Sequence, residues 1–291
     1  RTGEVARRLS SGFKRCLLGA IMQISHSSVR LALVAGLGLG SAAGSAALAE
    51  TNFLGIEKAA YDSSVPADRP GFFDNVNLVP KGYFIAEGGV RFDDNQGGGS
   101  TTTIPSSFLV RSGLTDNVEL RLGFNGYNLN SPGEDGAGDA TVGFKFRLHD
   151  ETKWTPAFSV LPTVSLPVGN DAVSKDKAEP EVHFVFGKSL TDKVSLYSNV
   201  NLAERLNETT GNYDLETAVA IATGYSFSDK INGYAEYYTI LPENSGRDTH
   251  AIDGGFSFFP VPSIQLDTFV GTGLNDATSN IFFGGGIAKL F

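Results

Sequence analysis

One cysteine, one methionine and one tryptophan in 291 residues are the first things the sequence has little of. A single cysteine, Cys16, allows no internal disulfide, and if it leaves with the N-terminal leader described below, the remaining chain can build no thiolate metal site or cysteine nucleophile either. Charged residues are 19% of the chain, too many for a bundle of transmembrane helices, while 41% apolar residues are too many for a disordered chain. With a net charge of −9 no face can be strongly basic without a compensating acidic one, which speaks against a nucleic-acid partner. What the chain has in quantity is glycine and phenylalanine, 35 and 21 residues, a mixture suited to many strands joined by tight turns.

Only residues 31–49 form a long apolar run. The run turns small toward its end, closes on Ala47-Leu48-Ala49 and has Arg30 on its N-terminal flank. These are the parts of a cleavable signal peptide, so the chain is expected to be exported. The only methionine, Met22, would open a leader spanning 22–49, with residues 1–21 an upstream extension outside the native start. Residues 50–80 would then form a periplasmic or lumenal N-terminal segment, and 81–291 the folded body. Removing 1–49 takes away six basic residues and one acid, which makes the remainder more acidic still.

From Gly82 the pattern alternates at period two. In Tyr213–Phe227 the odd positions are mostly aromatic, β-branched or leucine, and the even ones are Asp214, Glu216, Ala218, Ala220, Ala222, Gly224 and Ser226. Fifteen such residues exceed the roughly five or six of an ordinary strand. Similar alternation over 118–125, 139–148 and 181–187 contributes to a count of twelve strands. Their expected spans are 82–92, 103–113, 118–128, 138–148, 154–166, 179–190, 194–204, 213–227, 230–242, 248–259, 264–272 and 279–291. Turns of the form apolar–hydroxyl–Asp–polar–aliphatic recur at Leu114–Val118, Leu190–Val194 and Phe227–Ile231. Short turns follow even-numbered strands, and mostly longer connections follow odd ones.

This is the signature of an all-β, transmembrane antiparallel barrel of about twelve strands in the outer membrane of a Gram-negative bacterium. A secreted β-sandwich explains the alternation too, but three features favour the membrane. The polar face is small or charged where a core needs bulk. Aromatics stand near strand ends (Trp154, Tyr225, Phe227, Phe258, Phe259), as a girdle would place them. The chain closes on Phe291 after Ile281, Phe283, Gly285 and Ile287, similar to the terminal signal read by the barrel assembly machinery, with Lys289 departing from the apolar pattern.

Asp68-Arg69-Pro70-Gly71-Phe72, then Val79-Pro80-Lys81-Gly82, resembles the start of the bacterial barrel family labelled for the meta-pathway of phenol degradation. Gly113–Val118 and Leu161–Gly169 are similar to that family as well, so the resemblance covers about residues 66–291. It implies an outer-membrane barrel with a transport role, carries no catalytic residues and leaves the substrate open.

Twelve strands about 4.8 Å apart and tilted about 40° give a backbone diameter of roughly 24 Å, wide enough for small solutes. A one-residue slip would put charges into lipid, so register identifies the candidate pore lining. The first four strands contribute Glu87, Arg91, Arg111, Glu119, Arg121, Lys145 and Arg147. Later strands contribute Glu181, His183, Asp214, Glu216, Glu236, Asp253 and Asp267. Basic groups thus gather on one half of the wall and mainly acidic groups on the other, a transverse field for a passive channel. The alternative is that these charges pair and close the lumen, leaving a structural barrel. A lipid hydrolase would need a serine beside a histidine; His149, His183 and His250 stand in no such context, and no catalytic, cofactor or metal residues are assigned. Residues 50–80 show no period, yet Phe53, Leu54, Ile56, Phe72 and Phe73 are too apolar for a solvated tail. They would either plug the lumen or sit under its periplasmic mouth.

Overall fold

The computed structural model describes residues 50–244 and 246–291. The expected leader and upstream extension lie outside the described residues. Alternation at period two forces each strand to present one face to a common interior, and the chain meets that demand by closing on itself. The strands are β1 (Phe84–Asp94), β2 (Ser100–Gly113), β3 (Val118–Phe124), β4 (Tyr127–Ser131), β5 (Gly136–Ala137), β6 (Ala140–His149), β7 (Ala157–Leu166) and β8 (Glu179–Ser189). They continue with β9 (Val194–Asn207), β10 (Asn212–Ser228), β11 (Ile231–Pro242), β12 (Thr249–Val261), β13 (Ile264–Gly273) and β14 (Ile281–Leu290). All but β4 and β5 form the ring, twelve antiparallel strands, and β1 pairs with both β2 and β14, so no edge remains.

The expected third strand, 118–128, is instead interrupted. β3 ends at Phe124, and β4 resumes at Tyr127 against Ser100–Ile104 of β2. Pro105 has no N–H to give the ladder, and Ser107, two residues on, takes φ +48°. Gly126, at φ +82°, fits beneath the Pro105 carbonyl at a point where a Cβ would stand 2.5 Å from that oxygen. The three repeated turns close as expected but by their hydroxyls. Thr191 Oγ1 accepts the N–H groups of Lys193 and Val194 at 3.2 and 3.0 Å, Thr115 Oγ1 that of Asn117, and Ser228 Oγ that of Lys230.

Outward side chains form an apolar band that includes Val90, Leu122, Phe144, Ile221, Phe256 and Phe283, all exposed, as a lipid-facing wall requires. Tyr225, Phe227 and Phe258 belong to that exposed surface. Trp154 is exposed as well, just outside the strands in the connection between β6 and β7. One aromatic expected there is buried. Phe259 turns inward where the β12–β13 register shifts after Phe258, and it is buried with Val65, Val79, Ile85 and Leu290.

Candidate lumenal site

Residues 65–79 lie against the inward side chains of strands all round the ring. Their anchor is apolar: Val65, Ala67 and Val79 pack with Ile85, Phe259, Ala288 and Leu290 near the short-turn end. From there the segment runs inward to Phe72, which stacks on Tyr238 at 4.4 Å, and Phe73, which stacks on Tyr197 at 5.0 Å. It returns past Val76, buried with Ala157 and Val185, and joins the wall again where Lys81 bridges to Gly113. Phe53 and Leu54, farther upstream, are exposed.

The basic half of the wall meets the acids of this segment. Arg111 and Arg121 are direct cross-strand partners, a repulsive placement that needs compensation. Glu119 supplies part of it, 2.8 Å from Arg111 Nε and 2.9 Å from Arg121 Nη1. Asp68 supplies the rest, with Oδ2 2.6 Å from Arg121 and Oδ1 3.4 and 3.5 Å from Arg111 and Lys145. Asp74 stands 2.6 Å from His183 Nδ1 and 3.3 Å from Arg121, and accepts a bond from Asn199. Burial alone would raise the Asp74 carboxyl, but the charges of His183, Arg121 and Lys145 more than reverse this and hold it well below the usual carboxylate range.

Acids on both halves of the wall receive the segment's donors. Arg69 grips Asp267, and its guanidinium also reaches the Ser106 carbonyl. Glu87 accepts the N–H groups of Asp68 and Arg69, Glu236 that of Phe72 at 2.7 Å, and Glu119 that of Val79 at 2.7 Å. Backbone carbonyls complete the set: Pro66 and Asn77 accept from Arg111, Asn75 from Lys145, and Val76 from Arg147 and Ser159. Arg111, Lys145 and Glu119 are fully buried by these contacts.

The remaining candidates sit away from the segment. Glu181 and Glu216 share Arg205, at 2.8 and 3.0 Å, together with Glu179 at 3.5 Å. Asp214 accepts from Asn207 and Asn244. Arg91 is bonded twice to Asp93 and lies over the Phe282 ring, and Asp253 faces Glu236. Sequence reasoning missed Asp68, Arg69 and Asp74, which lie before the periodic region, and Arg205, one residue beyond the expected end of its strand. The register opposite Asp214 was the available signal for Arg205.

Two cavities flank the inner segment and share Arg69 and Phe73 in their linings. One, about 670 Å³, includes Tyr61, Arg147, Tyr197 and Tyr234; the other, about 390 Å³, includes Phe124, Thr163, Glu181 and His183. Among the described residues no group of three or more His, Cys, Asp or Glu is arranged to hold a metal ion.

Known structures share this architecture. The chain is similar to the COG4313 outer membrane channel from Pseudomonas putida F1, with 14% identity over 77% of this chain and 99% of that one and a TM-score of 0.55. It is also similar to the KdgM porin, with 11% identity over 71% and 99% of the two chains and a TM-score of 0.50. At these identities the likeness is one of fold, that of an outer-membrane barrel. No curated protein matches the sequence. The family model described as "Putative MetA-pathway of phenol degradation" matches residues 67–291, from the inner segment to the final strand, and the chain belongs to that family.

Proposed function

We propose that the protein is an outer-membrane channel that passes small solutes with charged or aromatic groups by passive diffusion, along a bore narrowed by residues 65–79. The observation that carries this reading is the pair of cavities against the inner segment, both lined by Arg69 and Phe73. The inward charges named from the sequence are its lining, and they serve two ends. Those facing residues 65–79 hold the constriction; Arg91, Glu181, Asp214, Glu216 and Asp253 line the bore around it. Lipid covers the outer wall, and Phe291, stacked on Phe84 at 4.6 Å beside the closing seam, is the residue that barrel assembly would read.

A closed structural barrel is the second reading, favoured by the completeness of the ion pairing around Arg111 and Asp68. Conductance in planar bilayers separates the two. The channel gives discrete open currents, and deletion of residues 50–78 enlarges them. Silence from both the intact and the shortened protein, each shown to be folded by heat-modifiable gel migration, would overturn the channel. An unchanged conductance after deletion would remove the inner segment from the bore.

A further inference from the structure

Glu236 and Asp253 are direct cross-strand partners on β11 and β12, both facing the interior. Partners so placed have Cβ atoms about 5 Å apart, and two carboxylates there repel one another. Elsewhere inside the barrel cations answer buried wall carboxylates: Arg69 for Asp267, Arg111 for Glu119 and for Glu87. This pair has no such answer. Glu236 is 3% exposed; its Oε2 takes the Phe72 N–H, and its Oε1 has no hydrogen-bond partner among the described residues. Asp253 Oδ1 and the Tyr234 hydroxyl are likewise buried and interact with each other, with no further partner among the described residues. The nearest guanidinium, Arg91, is held by its two bonds to Asp93.

Buried polar atoms of this kind call for a partner, and three oxygens converging from adjacent strands specify one. We propose that Glu236, Asp253 and Tyr234 form a binding site for a compact cation, a metal ion or the ammonium group of a solute. Oxygen donors alone favour a hard ion, and two carboxylates with one phenol leave several positions to water, so affinity is expected near the weak end for calcium, about millimolar. The apolar cluster of Tyr238, Phe269 and Phe282 packs against Tyr234. The proposal stands whether or not the barrel conducts, because it requires only the folded wall.

Terbium tests it, since this hard ion emits when a tyrosine beside it is excited. The full chain folded in detergent is titrated with terbium alone, beside Glu236→Gln, Asp253→Asn and Glu151→Gln, the last altering an exposed turn carboxylate. Glutamine still accepts the Phe72 N–H, and gel migration checks that each variant is folded. The expected result is saturable emission from the wild type and Glu151→Gln, with affinity reduced about tenfold or more in the other two, since ligand charge sets affinity in such sites. Displacement by calcium identifies a metal site, and displacement by methylammonium an amine site. No saturable emission from the wild type, or equal affinity in all four proteins, would overturn the proposal.

Discussion

The guanidinium of Arg69 and the carboxylate of Asp267, 198 residues apart, meet through two parallel hydrogen bonds of 2.9 and 3.2 Å. Both side chains are almost wholly buried. Removing one member of such a pair leaves the other charged and uncompensated, at a cost of about 3–5 kcal/mol. The strand ladder does not pass through Arg69, so the loss falls on the inner segment. Arg69→Ala is expected to leave the barrel folded, as judged by gel migration, and to raise its conductance.

The same guanidinium rests on the β1–β14 seam. A Cβ built on Gly89 would meet the Gly285 carbonyl and stand 2.6 Å from Arg69 Nη2, and one on Gly286 would stand 2.5 Å from the Gly88 carbonyl oxygen as well as from Arg69 Nε and Nη2. Space, not charge, is what these glycines supply, both to the guanidinium and to the facing strand. Gly286→Leu is therefore expected to displace Arg69 and to weaken the seam together, read as a raised conductance with a lower midpoint in denaturant titrations; wild-type currents and an unchanged midpoint would show that the seam has room to spare.

Asp74 sets the pH response of the inner segment. Its carboxyl is held low by His183, Arg121 and Lys145, so its contribution to docking is complete above the ordinary carboxylate value of about 3.9 and drains away as the pH falls below it. Currents recorded from neutral pH downward should stay level until that range and then grow. Asp74→Asn should show the larger current already at neutral pH.

The turns offer a test of which side chain holds them. Thr191 Oγ1 accepts two N–H groups in the β8–β9 turn, and a net hydrogen bond contributes about 1 kcal/mol. Thr191→Val should lower the stability of the folded barrel by about 1–2 kcal/mol in denaturant titrations. Asp192→Ala, by contrast, is expected to change it by only a few tenths, the usual scale for surface positions.

The barrel was legible because period two is a property of side chains. Tyr213–Phe227 is read as a strand from its apolar face alone, and the observed β10 differs from that reading by one residue at each end. The break after Phe124 was not legible, since it depends on how Pro105 of the neighbouring strand disturbs the ladder. The inner segment was still less so. Its docking uses the N–H groups of Asp68, Arg69, Phe72 and Val79 and the carbonyls of Pro66, Asn75, Val76 and Asn77, which every residue possesses. That two acids and one arginine from before the first strand would meet the charged wall was not legible either.

The seam has a consequence for the order in which the molecule can be made. Arg69 leaves the ribosome long before Asp267, and the segment that carries it is enclosed only when β14 pairs with β1. The early residues can seat while the wall is still open at its side; afterwards the only way in is through an end of the barrel. A chain that halts before β13 has synthesised its arginine but not the carboxylate that retains it. Quality control that senses an unclosed barrel would therefore find, on the same immature molecule, a free strand edge and an unseated tail.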